Sequence, residues 1–275
     1  MKITNKYNIH ESIVKFVRSD KKIIKNRYSV TEILKPTKEI ILTRNHFSEL
    51  EEDVSECAAR LLGTAVHSLI EKYGEETCRE QKIEIEFEGC VIVGVLDYVD
   101  LINEVITDFK TCKSYKIKAE DFEDWQKQGL LYAWLVWKKY GKIIKTVRFQ
   151  VIIVDFKEFD MVSPSPFYEY KFEITPFDIE EVEEWLKQRL SILKSEKLID
   201  CTAKEMWKTE DTFAVYKEGG KRALKVCNSK EEAKEYIGTR NDCLIELRQG
   251  VCKKCQNYCK IKQFCEQGMR NTVTI

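Results

Sequence analysis

Two carboxylates and an ammonium stand where short apolar runs would deliver them together. Val91, Ile92, Val93, Val95 and Leu96 lead to Asp97; a turn around Asn103 and Glu104 follows, and Val105-Ile106-Thr107 leads to Asp108-Phe109-Lys110. Side chains alternate along a strand, so Asp108 and Lys110 share one side and Phe109 takes the other. Paired as a hairpin, the two strands would bring all three charged groups to one sheet end. Hard oxygen ligands beside a cation suit Mg²⁺ or Mn²⁺ and the activation of water against a phosphodiester. The same residues also have an ordinary use, Asp97 capping a turn and Asp108 with Lys110 forming a solvated pair. A chain with 33% charged residues makes an isolated D-x-K by chance.

Three further polar residues sit on helical patterns around this pair. Ala58, Leu61, Leu62, Ala65, Val66, Leu69, Ile70 and Tyr73 recur at helical spacing and predict a helix opening at Asp53 with that stripe buried. It carries Gly63-Thr64-Ala65-Val66-His67, with Gly63 one turn from His67. Glycine costs about 1 kcal/mol against alanine in a helix, so the close approach of a neighbour is expected at Gly63. A second helix, from about 119 to 140, places Gln128 and Tyr132 on one face. A lone histidine can equally be a satisfied core residue, and Gln128 and Tyr132 an amphipathic edge.

The elements that would hold these groups follow in order. After the 53–73 helix come an alternating strand (Ile83, Ile85, Phe87), the two strands above, the second helix, and an apolar strand through Val147, Phe149 and Val151. A strand over 168–174 and a charged helix over 178–197 come next. Beyond them lie short strands at 213–216 and 223–226 and a helix announced by Ser229-Lys230-Glu231-Glu232. Upstream, Ser29-Val30-Thr31-Glu32 opens another helix. The expected division is an N-terminal segment 1–52, a core 53–198 and a cysteine-rich region 199–275.

Composition removes some classes. Lys+Arg and Asp+Glu are both 46, so no net positive charge advertises a nucleic-acid partner. Local basic stripes can do that work, and two are visible, Lys138–Arg148 and Lys217–Lys225; a solvated helix end or hairpin is the ordinary use of each, and the favoured one. No apolar run approaches the roughly 20 residues that span a bilayer, and the start lacks a signal-peptide core. A cytoplasmic protein without a membrane partner is expected. Eleven cysteines in a reducing compartment point to metal more than to disulfides. Four of them, Cys252, Cys255, Cys259 and Cys265, fall within fourteen residues. A tetrathiolate site suits Zn²⁺ or an iron–sulfur cluster, and the spacing leaves the choice open.

The ordered set resembles the RecB-like branch of the PD-(D/E)XK nuclease superfamily. The matching marks are G-T-x-x-H (Gly63 to His67), G-x-x-D (Gly94 to Asp97), D-x-K (Asp108 to Lys110) and Q-x-x-x-Y (Gln128 to Tyr132), covering roughly residues 55–155. The flanks are similar to phage-encoded exonucleases: Ser29 to Leu34, Cys201 with Trp207, and Asn257-Tyr258-Cys259. The resemblance implies an α/β restriction-endonuclease-like core, a mixed central sheet flanked by helices in the order αβββαβ, with a cysteine-rich C-terminal extension. It implies Mg²⁺ or Mn²⁺ held by Asp97, Asp108, His67 and the carbonyl of Phe109. Lys110 would orient water, and Gln128 and Tyr132 would contact DNA or brace Lys110. Asp108 stands where many members have Glu.

Relatives such as the iron–sulfur CRISPR-adaptation nucleases also imply a [4Fe–4S] cluster with one upstream and three tail cysteines. Here the tail reads C-x₃-C-x₅-C (Cys255, Cys259, Cys265), against a more usual C-x₂-C-x₅-C. Cys201 is taken as the fourth ligand; Cys252 and Cys57 are the alternatives, and structural Zn²⁺ the alternative metal. The expected function is a metal-dependent deoxyribonuclease, an exonuclease acting on DNA that has a free end or is single-stranded, with recombination or replication proteins as partners. The rivals are a structure-specific endonuclease and a non-catalytic DNA-binding or zinc-binding assembly module.

Overall fold

The computed structural model describes residues 1–19, 22–73, 81–158 and 163–271. The chain divides into two compact units, Met1–Lys197 and Leu198–Ile275. The first is a mixed α/β body whose sheets are flanked by helices. Cys90–Leu96 pairs antiparallel with Gln81–Phe87 and parallel with Arg27–Ser29. Its alternate residues Cys90, Ile92 and Leu96 are buried, as period-two patterning requires.

At Asp97 the chain bends and changes sheets. Tyr98–Asp100 opens a second sheet, continuing through Val105–Cys112, Thr146–Ile153 and Phe167–Glu173. Val105–Cys112 and Thr146–Ile153 run parallel, with Asp108 beside Phe149 and Lys110 beside Val151; the outer pairings are antiparallel. Parallel neighbours need a crossover, and the helix Glu123–Tyr140 provides it. Its Leu131, Trp134, Leu135 and Val136 are fully buried in one cluster with Ile92, Leu96, Ile106, Val147 and Phe149. The helix Pro176–Lys194 adds Ile179, Leu186 and Leu190 to that core. It opens with a reciprocal cap between Thr175 and Asp178 and with proline at its start.

Close packing of that crossover helix depends on Gly94. A Cβ there would collide with Leu135 Cδ1 and lie 3.3 Å from Tyr132 Cδ1. Leu135 is fully buried, so it has nowhere to retreat. Gly94→Ala is expected to cost about 1–3 kcal/mol through overpacking, read as a lowered urea midpoint with an unchanged slope.

Several expectations change. Residues 1–52, set apart in the sequence, belong to the first unit and supply Arg27–Ser29 to its sheet. The helix at Asp53 begins as a 3₁₀ turn, Val54–Cys57, and becomes α-helical over Ala58–Tyr73. Asp53 caps the Ser55 N–H and also accepts from Lys6 N and Thr4 Oγ1. The apolar stripe of this helix is not buried: none of its residues is, and Leu62, Leu69 and Tyr73 are exposed. Periodicity reports which residues share a face, not what covers it. Nor is Gly63 crowded, because the nearest atom to a Cβ there is Thr111 Oγ1 at 3.9 Å. The second helix is two, Ser114–Lys118 and Glu123–Tyr140.

The second unit holds a three-stranded antiparallel sheet, Thr212–Lys217 between Lys225–Cys227 and Cys243–Arg248. The helix Lys230–Ile237, capped by Ser229, packs on one face through Ala233, Tyr236 and Ile237 against Phe213, Val215, Cys227 and Ile245. The strand Cys243–Arg248 is absent from the sequence expectation. Around this small sheet, residues 201–208 and 252–271 form the cysteine-bearing part. Among the described residues no helix is long and apolar enough to cross a membrane.

Candidate active site

Asp97 sits at the bend between sheets, where its carboxylate serves two elements. Oδ2 accepts from the backbone N–H of Phe109 at 2.8 Å, and Oδ1 lies 2.9 Å from His67 Nδ1. A carboxylate only accepts, so the imidazole donates from Nδ1 and keeps Nε2 for another ligand. That hydrogen bond holds the His67 pKa above its ordinary value, against partial burial. The helix Ala58–Tyr73 is thereby pinned to the strand Val105–Cys112.

Asp108 and Lys110 project from one side of that strand, as alternation requires. Lys110 Nζ lies 2.6 Å from Asp108 Oδ2. The contact is an ion pair by distance but not a well-directed hydrogen bond, and Oδ2 is buried with no hydrogen-bond partner. Asp108 is 2% exposed. Burial pushes its carboxyl up to about 6, with Asp97 adding to the rise and Lys110 opposing it.

Gln128 closes the group from the crossover helix. Its Oε1 accepts from Lys110 Nζ at 2.9 Å, and its Nε2 donates to Tyr132 Oη at 2.8 Å and, more weakly, to Asp108 Oδ1 at 3.4 Å. Tyr132 is buried, and burial with the nearby Asp108 charge raises its pKa. The hydrogen bond from Lys110 is the contact that the expected bracing role of Gln128 would use. Phe149 was missed by sequence reasoning. It pairs with Asp108 in the parallel ladder and its ring centroid lies 5.7 Å from Lys110 Nζ. Nothing in the sequence marks it apart from other core aromatics.

The donor set fits a hard divalent ion in kind: two carboxylates, an imidazole, and a buried carboxylate oxygen without a hydrogen bond. Among the described residues, however, no three His, Cys, Asp or Glu side chains are gathered as they stand into a metal cage. Asp108 Oδ2 faces Lys110, so that contact would have to open to admit a cation, whereas the His67–Asp97 contact leaves His67 Nε2 available.

The cysteine region brings Cys201 to the tail. Its backbone N–H donates to Gln267 Oε1 at 2.8 Å and its carbonyl accepts from Gln267 Nε2 at 2.9 Å, two residues beyond Cys265. Trp207 meets Tyr258, ring centroids 5.2 Å apart. Burial pushes the Cys201 thiol up to about 12, with smaller contributions from Cys265 and Cys255. Burial likewise raises Cys255, with Cys252, Cys259 and Cys265 adding to it. Cys265 Sγ accepts from Gly268 N–H at 3.3 Å. Cys57 lies in the other unit, buried beside Val14, Val17 and Val54. Cys201 therefore neighbours Cys255 and Cys265, and Cys252 neighbours Cys255. The group is again no ready-made cage.

No family model matches the chain, and no curated protein matches it. Solved structures overlap with it in part. The crystal structure of SSO0001 is 16% identical, with a TM-score of 0.45 over 66% of this chain and 82% of that one. LHK-Exo in complex with dAMP is 14% identical, with a TM-score of 0.38 over 62% of this chain and 89% of that one. A phage related exonuclease from Haemophilus somnus 129PT is 16% identical, with a TM-score of 0.28 over 59% of this chain and 74% of that one.

Proposed function

We propose that this chain is a metal-dependent deoxyribonuclease of the PD-(D/E)XK type, acting on DNA ends as an exonuclease. One observation carries the reading. Asp97 ties His67 to the Asp108–Lys110 strand, while Gln128 holds Lys110 against Asp108. Four separated segments bring polar groups, Asp108 and Gln128 among them buried, to one spot, the arrangement that catalytic sites share.

His67, Asp97, Asp108 and the Phe109 carbonyl would hold Mg²⁺ or Mn²⁺. When bound, the ion supplies Lewis-acid charge and lowers the pKa of water. The rest is done by the chain. Release of Lys110 from Asp108 leaves its ammonium on Gln128 Oε1, positioned to orient the attacking water and offset charge building on the phosphate. Tyr132 fixes the amide of Gln128, so the Lys110 head is held in one place. Hydrolysis would leave a 5′-phosphate and a 3′-hydroxyl. In the second unit, Cys201, Cys255, Cys259 and Cys265 would hold a [4Fe–4S] cluster, with Cys252 and Zn²⁺ as the alternatives. Phosphodiester hydrolysis moves no electrons, so the cluster's role is structural.

The test is incubation of anaerobically purified protein with end-labelled single- and double-stranded DNA, with Mn²⁺, Mg²⁺ or EDTA. Metal-dependent release of mononucleotides is expected. Cutting of closed circular DNA would instead indicate an endonuclease, and no cleavage under any condition would leave a binding module. Lys110→Arg is expected to cleave poorly while binding DNA as the parent does, because a planar fork cannot replace a compact ammonium between Asp108 and Gln128. Full cleavage by that variant would refute the role given to Lys110.

A further inference from the structure

The small sheet of the second unit has one face covered by its helix and one turned away from it, whose outer strands carry exposed side chains. The register places Tyr216 beside Leu244 and Ala214 beside Val226 on the side away from the helix, where Ala214 is fully buried and Tyr216 partly so. Leu244 is 58% exposed and Val226 48%; Leu224, two residues before Val226, is exposed as well. Arg248, on the same side, donates to Tyr216 Oη and lies with its guanidinium carbon 5.7 Å from the ring centroid. Aromatic ring and guanidinium are therefore held together at the surface rather than left to find one another.

The turn at the end of this face is one of the two basic stripes. In the other stripe, Lys138, Lys145 and Arg148 have carboxylate partners in Glu183, Glu104 and Glu169, while Lys142 donates to the Leu101 carbonyl and Lys139 lies over the Tyr140 ring. In this one, Lys217 and Lys225 are paired with Asp242 and Glu232. Lys221 and Arg222 are exposed and have no acidic partner among the described residues. They sit in the 218–224 turn, shaped by Gly219 at φ 74° and by Gly220, whose N–H donates to the Lys217 carbonyl. Glu246 and Glu218 are the carboxylates nearest in sequence on the same face and turn.

We propose that this face is a binding site for single-stranded nucleic acid, the ring and apolar side chains taking bases and Lys221 and Arg222 taking phosphates. Ring faces and guanidinium planes accept any base, and cations at one rim track the backbone. An apolar surface meant for a protein core would not need the unpaired cations, and a solvated hairpin would not need three exposed aliphatic side chains on one sheet face. The inference draws on the nuclease reading only for its choice of DNA as probe.

The experiment measures binding of a labelled oligothymidylate of about 16 nucleotides to the full chain carrying Asp108→Asn, across a salt series. Adding Lys221→Glu with Arg222→Glu is expected to weaken binding at least tenfold. The slope of log affinity against log salt should become shallower by about 1.4, about 0.7 per phosphate contact on a single strand. Tyr216→Leu is expected to cost about fivefold or more with the slope unchanged; thermal melting checks that each variant folds. Parent-like affinity and slope in the charge-reversed variant overturn the proposal, as does a parent that binds no oligonucleotide. So does a change in sedimentation with binding intact, which would make the face a contact between copies. Cleavage by the chain with Asp108 intact is scored separately, so loss of the surface and loss of the nuclease reading give different results.

Discussion

Asp108→Asn is expected to lower DNA cleavage by more than the roughly 10²–10³-fold lost with a single electrostatic stabiliser, and to leave the fold standing. The carboxylate is 2% exposed and its pKa is raised to about 6 by burial. A raised pKa means the folded state disfavours the charged form. The sign follows: below the ordinary value of 3.8 the group is neutral in both states and burial costs nothing. Above about pH 6 it is charged in both, and the folded state bears the cost. In EDTA at pH 8 the asparagine variant should therefore melt no lower than the parent. Asp97 is the contrasting case, because its two oxygens tie a helix to a strand. Asp97→Ala should lose cleavage and also about 1–3 kcal/mol of stability. A parent-like rate in Asp108→Asn would sink the nuclease assignment.

Cys259→Ser is expected to remove the metal centre, lower the melting temperature and reduce soluble yield, while any cleavage per folded molecule persists. A group that binds only the folded chain stabilises it by about 4 kcal/mol at a thousandfold excess over Kd. A bridge from Cys201 to Cys255 also closes a loop of 54 residues (255 − 201), a long span in chain-entropy terms. Desolvation raises the Cys201 and Cys255 thiols, so metal binding, which needs thiolates, must displace their protons and should weaken as pH falls. Anaerobic protein should be brown and contain iron. A colourless preparation with one equivalent of zinc would replace the cluster by a zinc site.

What the sequence shows of this site is the part written in local periodicity. Alternation around Asp108 and Lys110 puts both on one side, and four-residue spacing puts Gln128 and Tyr132 on one face; the contacts among them follow. The bend at Asp97 is less visible. Leu96-Asp97-Tyr98 reads as one strand, and only the pairing of Tyr98–Asp100 with residues 105–107, Thr107 opposite Tyr98, shows that the chain has left its first sheet. The stripe of Leu62, Leu69 and Tyr73 is misread because amphipathicity is a property of the helix and burial a property of its surroundings. Cys243–Arg248 carries apolar residues on both faces, so neither alternation nor a long apolar run marks it.

The small sheet enters and leaves the cysteine region through a single narrow neck. Lys208 bridges Cys252, Thr209 N–H donates to the Val251 carbonyl at 3.0 Å, and Gly250 N–H donates to Asp211 Oδ1. Gly250 approaches so closely that a Cβ would run into the Thr209 carbonyl. The residues between, about 210 to 250, hang from adjacent ends with their own helix-backed core. Such a neck makes the module exchangeable: excision with a tight turn across Thr209 and Val251 leaves the thiol-bearing arms contiguous, and another hairpin could be grafted at the same two residues.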